Sequence, residues 1–211
     1  MQISKLVGAV EISGADLGPI GGMLLSTALQ KSGNHLTGLD LGSLSVWDGA
    51  PDKPGPGIGL DGGLAVAELL ASAGSNLQTV SLSDNQLPAE VGPALGGALA
   101  VNRTVLNLDL GGNQLGSAGA IAIAKALEAN TALTMLNLES NHIGLEASAG
   151  LASALASNTS LVCLDLYNNA LQYDGSMEIV RAVLFHNGAA LRKLNLAANQ
   201  IQPDRAEVSA N

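Results

Sequence analysis

Val105-Leu-Asn-Leu-Asp-Leu-Gly-Gly-Asn-Gln-Leu115 is the stretch whose reading decides the fold. Apolar residues fall at Leu108 and Leu110, then an asparagine, one residue and another apolar residue. The same phrase returns from Leu77, Leu133, Leu161 and Leu191. Its asparagines therefore recur at Asn85, Asn113, Asn141, Asn169 and Asn199, spaced 28, 28, 28 and 30 residues apart. Self-similarity at a fixed period of this length marks a repeat architecture.

Each phrase alternates apolar and polar places, which predicts a short strand with one buried face. A second pattern follows it. Leu95 and Leu99, Ile123 and Leu127, and Leu151 and Leu155 are apolar pairs four residues apart in Ala-rich sequence. Such pairs predict a helix with one buried stripe. Asn102, Asn130 and Asn158 close these helices, and the expectation for Asn130 and Asn158 is a left-handed C-terminal cap. One strand, turn and helix cannot bury its apolar face alone, whereas stacked copies share a continuous core.

The phrase resembles the leucine-rich repeat, Leu-x-x-Leu-x-Leu-x-x-Asn-x-Leu. A length near 28, with Gly116 and Gly119 before an Ala/Leu helix, is similar to the ribonuclease-inhibitor type, found also in NOD-like receptors and Ran GTPase-activating proteins. The resemblance implies an α/β solenoid: a curved right-handed horseshoe of about seven repeats, strands concave and helices convex. It also implies that Asn85, Asn113, Asn141, Asn169 and Asn199 form a structural ladder bonded to turn backbone.

The expected organisation is one domain over 1–211. Regular repeats cover 77–104, 105–132, 133–160 and 161–190, and 191–211 is a partial repeat or cap. Two degenerate repeats precede them, 7–35 and 36–76, with Ala15 and Leu44 at the asparagine place and helices over Met23 to Lys31 and Leu64 to Ala73. Leu36 to Leu77 spans 41 residues, 13 more than 28, and the excess falls in a Pro/Gly-rich insertion near 47–59 that carries Trp47. Insertions in repeat proteins map to loops on one face.

Formal net charge is −9, with nine Lys+Arg scattered along the chain. This argues against nucleic acid, which needs a basic patch, and favours a neutral or basic protein partner. No 18-residue apolar run occurs, so no membrane insertion is expected. One cysteine, Cys163, excludes a disulfide within the chain and fits an intracellular, cytoplasmic setting. His35, His142 and His186 have no metal-ligand spacing with one another or with Cys163. No nucleophile, base and ligand converge, so no catalytic residue, metal or cofactor is assigned. Asn102-Arg-Thr and Asn158-Thr-Ser match the glycosylation pattern but occupy the helix-end slot of the repeat.

The outward places of the strands remain. In a stack they form columns, one strand spacing apart. The middle column reads Glu11, Asp40, Ser81, Asp109, Asn137, Asp165, Asn195. Beside it run Ala9 through Met135, Cys163 and Lys193, and Ser13 through Glu139, Tyr167 and Ala197, with Asp84 flanking. The candidate partner-binding residues are Glu11, Asp40, Asp84, Asp109, Met135, Asn137, Glu139, Asp165, Tyr167 and Lys193. The functional expectation is a non-catalytic scaffold that binds a protein through this face, alone or as the repeat portion of a larger sensor or assembly. The alternative implied by the resemblance is a GTPase-activating protein like the Ran type.

Overall fold

The computed structural model describes residues 8–11, 17–31, 36–42, 57–185 and 190–201. Among the described residues seven strands alternate with six helices in chain order. The strands are β1 (Gly8–Glu11), β2 (Leu36–Asp40), β3 (Thr79–Ser81), β4 (Asn107–Asp109), β5 (Met135–Asn137), β6 (Cys163–Asp165) and β7 (Lys193–Asn195). The helices are α1 (Gly18–Lys31), α2 (Gly59–Ala71), α3 (Val91–Val101), α4 (Gly116–Leu127), α5 (Ser148–Ser157) and α6 (Gln172–Phe185), with a 3-10 turn (Leu145–Ala147) before α5. The strands form one parallel sheet in the order β1 to β7. Each helix packs on the next, from α1 on α2 to α5 on α6.

This is an α/β solenoid, as the period predicts. Parallel neighbours need a crossover, and here each crossover is one helix. The core fills the space between sheet and helices. Leu108 and Leu110 reach it from the strand phrase, Leu115 from the turn, and Ile123 and Leu127 from the helix. Glycines let the helices approach closely: a Cβ on Gly92 of α3 would overlap the Cα of Gly119 in α4.

The structure corrects the sequence reading in three places. First, α1 and α2 begin at Gly18 and Gly59, five residues before Met23 and Leu64. Both glycines are left-handed (φ +57° and +56°) and turn the chain into the helix. The first turns are rich in glycine, so they carry little apolar periodicity to read.

Second, Ile58 belongs to the frame and not to the insertion. Its amide donates to Asn85 Oδ1 (3.1 Å), as the Leu87 amide donates to Asn113 Oδ1 (3.0 Å). Ile58 is buried, and the Gly59 amide donates to the Asn85 carbonyl (3.1 Å). Ala15, Leu44, Trp47, His35 and His186 lie outside the described residues.

Third, the helix-end asparagines are not left-handed. Asn102 and Asn158 are extended, with φ/ψ of −68°/137° and −74°/130°, and Asn130 has no positive φ. Their side chains carry the load instead. Asn158 Nδ2 donates to the carbonyls of Leu127 (2.7 Å) and Asn130 (3.0 Å), while its Oδ1 accepts the amides of Ser160 (3.0 Å) and Leu161 (2.7 Å). Asn130 repeats the pattern on Leu99 and Asn102. A helix C-terminus leaves carbonyls unpaired, and each asparagine here satisfies those of the preceding repeat.

Candidate binding surface

The turn after each strand sets the face. Asn113 Nδ2 donates to the carbonyls of Leu82 (3.0 Å), Leu110 (2.9 Å) and Gly111 (3.1 Å), and its Oδ1 accepts the amides of Asn85 and Leu87 (both 3.0 Å). Asn141, Asn169 and Asn199 are likewise buried and bond backbone of their own and the preceding repeat. Asn85 reaches the carbonyls of Leu41 (2.8 Å) and Ser83 (2.9 Å). Each ladder residue follows a left-handed one: Asp84, Gly112, Ser140, Asn168 and Ala198. For non-glycine residues that backbone costs roughly 1–2 kcal/mol, and the buried amide bonds offset it.

The sheet register assembles the expected columns. Glu11 pairs with Asp40, Asp40 with Ser81, Ser81 with Asp109, Asp109 with Asn137, Asn137 with Asp165, and Asp165 with Asn195. Met135 pairs with Cys163, and Cys163 with Lys193. Backbone bonds carry the register past the strand ends: the amides of Asp84, Gly112, Ser140 and Asn168 donate to the carbonyls of Gly111, Glu139, Tyr167 and Ala197.

The middle column has a local structural role. Oδ1 of Asp40, Asp109, Asn137, Asp165 and Asn195 accepts the amide two residues on, at 2.9, 2.9, 2.9, 2.8 and 3.1 Å. Aspartate and asparagine make the same bond, so the frame needs the oxygen and not the charge. The charge is then free for other use, and it is concentrated in one zone. Burial raises the Glu139 carboxyl above its ordinary range, and the charges of Asp165, Asp109 and Asp84 push it the same way. Asp84 is raised by burial first and by Asp109 second.

The structure thus brings Asp84, Asp109, Glu139 and Asp165 together around Asn137. Asp40 lies toward the N-terminal edge, Glu11 on the edge strand, and Lys193 on the opposite edge strand. Met135 (49% exposed) and Tyr167 (43%) project beside the acidic zone, and Cys163 is half-buried between Met135 and Lys193. Among the described residues the salt bridge present lies on a helix, Lys125 to Glu128, where the Lys125 hydrogen bond holds the Glu128 carboxyl low. Among the described residues no three His, Cys, Asp or Glu are placed to hold a metal ion. No described helix is long and apolar enough to cross a membrane.

Two exposed apolar residues escaped the sequence reading. Leu106 (39% exposed) and Val162 (41%) stand one residue before their strands. Their signal was legible: the equivalent residues Gln78, Thr134 and Arg192 are polar.

The Leucine Rich repeat family matches residues 101–124. That segment runs from the end of α3 through β4 and Asn113 into α4, most of one repeat. The fold is that of a leucine-rich repeat solenoid. Among solved structures, this solenoid is similar to "Leiomodin-1 Actin-Binding Site 2 (ABS2)", at 26% identity and a TM-score of 0.51, covering 57% of this chain and 69% of that one. No curated protein matches it.

Proposed function

We propose that this leucine-rich repeat solenoid is a non-catalytic scaffold that takes a protein partner on its strand face, within a single domain of ribonuclease-inhibitor-type repeats. The acidic zone of Asp84, Asp109, Glu139 and Asp165 gives that face its preference for a cationic protein surface. The observation that carries the reading is the crowding of these carboxylates. Like charges held together in a partly buried site are relieved when a cation approaches. Met135 and Tyr167 add the kind of side chain that anchors interfaces. The likeness to a structure named for an actin-binding site supports a protein-binding role and makes actin the first named protein to test.

Neutralising the charge without breaking the frame tests this. Asp109→Asn with Asp165→Asn keeps both Oδ1 acceptors. The double variant is expected to weaken binding of actin, or of a protein cross-linked from Met135, by about tenfold, roughly 1.4 kcal/mol. Unchanged binding in this variant, with binding lost on substitution of the exposed Lys125 or Arg181 on the helices, places the partner elsewhere.

A further inference from the structure

α1 departs from the other helices on the side that faces away from them. A Cβ on Gly22 would meet Ile58 and Gly62, so that side of α1 is seated on α2. Ile20 and Leu24 stand two residues either side of Gly22, about 200° round the helix, and face away from the stack. Counted from Ile58, Leu87, Leu115 and Ile143, the Leu24 place of later repeats holds Ala65, Ala94, Ala122 and Gly150. The Ile20 place holds Asp61, Glu90, Ala118 and Glu146. The Leu24 place is small in these repeats because the preceding helix packs on it: a Cβ on Gly96 of α3 would lie 2.6 Å from the Ala122 carbonyl oxygen of α4. In α1 the two places carry large apolar side chains instead. Ile20 is 70% and Leu24 60% exposed, with Met23 (42%) beside them. Thr27, one turn on, donates its hydroxyl to the Met23 carbonyl (2.9 Å) and so needs no water. Gly18–Lys31 contains no acidic residue, in a chain of net charge −9. Repeats that end a solenoid in water carry a polar outer side; this side is apolar.

We propose that this side of α1 is covered by α1 of a second copy of the chain, related by a two-fold axis normal to the sheet. Among the described strands β1 pairs on one side only, with β2, and an open strand edge is a template for a further strand. The two-fold that lays α1 antiparallel on its copy also lays β1 antiparallel on its copy, so one operation continues both layers. The absence of carboxylates on α1 lets two chains of like charge meet there. Another repeat of the same kind does not fit, because Leu24 fills the space that Ala122 leaves for Gly96. Head-to-tail stacking on α6 does not fit either: α6 holds Val180 where α3 holds Gly96, and its Ser176 is already buried. At 1.5 Å per residue α1 is about 21 Å long. A strip of that length and one helix wide, with one strand edge, falls short of the roughly 800 Å² per partner of a stable interface, so the dimer is weak. It sets two strand faces side by side on one continued sheet, and a partner with two sites can hold both. The dimer stands or falls independently of what the strand face binds.

Sedimentation equilibrium of the full chain tests this. The monomer mass of 21.1 kDa is expected at about 10 μM, rising toward twice that value at about 1 mM, the range of a small interface. Ile20→Asp with Leu24→Ala installs the residues that α2 holds at the same places, Asp61 and Ala65. The pair is expected to weaken association by about tenfold, with an unchanged melting temperature at about 10 μM, where both proteins are monomers. A photo-cross-linking residue at Thr27 leaves the apolar pair intact and is expected to join α1 to α1 of the second copy. A monomer at every concentration leaves this side of α1 to a different protein and overturns the proposal. A dimer that the double variant does not weaken, or cross-links from Thr27 to α6 or to the strand face, overturns it as well.

Discussion

Asn113 Oδ1 accepts the Leu87 amide at 3.0 Å, 26 residues back along the chain, and so ties one repeat's turn to the next. The same oxygen takes the Asn85 amide, and Nδ2 satisfies three carbonyls. Asn113→Ala would leave buried polar groups of two repeats unpaired, each costing about 1–3 kcal/mol. Urea unfolding is expected to show a loss of about 3–5 kcal/mol. Gln114→Ala, at the exposed neighbour, is expected within about 0.5 kcal/mol of wild type.

The second ladder works through side chains, and that separates two substitutions. A left-handed cap would tolerate glycine best. Asn158 is extended and buried, with Oδ1 and Nδ2 both engaged. Asn158→Gly is therefore expected to destabilise at least as much as Asn158→Ala, by about 2–3 kcal/mol. A milder effect of glycine would contradict the side-chain account.

Two glycines in α3 should respond with opposite sign. A Cβ on Gly92 meets backbone of Gly119, whereas one on Gly97 meets nothing within 4 Å. Gly97→Ala is expected to raise stability by about 0.5–1 kcal/mol through helix propensity. Gly92→Ala is expected to lower it by about 1–3 kcal/mol by forcing α3 from α4. Thermal melts of the two variants check this directly.

Much of the frame was legible because it repeats. Period-two alternation placed Leu108 and Leu110 inside and Asp109 outside, and the parallel register then made columns of the outward residues. Ile58 was not legible, since the insertion breaks the count and only its bond to Asn85 places it. Asn158 looked like a left-handed cap because sequence spacing shows where a helix ends and not which way the backbone leaves it. The polar columns drew attention past Leu106 and Val162, which are apolar where equivalent residues are polar. The clustering of Asp84 with Asp109 and Glu139 depends on left-handed backbone before each ladder asparagine, and no residue pattern announces that when the position holds Asp, Gly, Ser, Asn and Ala.

The acidic zone should be visible in the pH dependence of stability. Burial and neighbouring carboxylates raise the Glu139 carboxyl in the folded protein. The folded state then binds more protons than the unfolded state between the two pKa values, so stability falls as pH rises through that window. Glu139→Gln is expected to stabilise at pH 7 by about 0.5 kcal/mol, the scale of partly exposed charges. The advantage should vanish below the ordinary glutamate range, where both states are protonated. An advantage that persists at pH 3 would point to packing and not charge.

The strand face, and not the helix face, is expected to meet the partner. A photo-cross-linking residue placed in turn at Met135, Asn137 and Tyr167, and at the helix positions Ala149, Ala156 and Glu178, maps contact directly. With actin as target, adducts are predicted at the three strand positions and not at the three helix positions. Adducts confined to the helix positions would contradict the account.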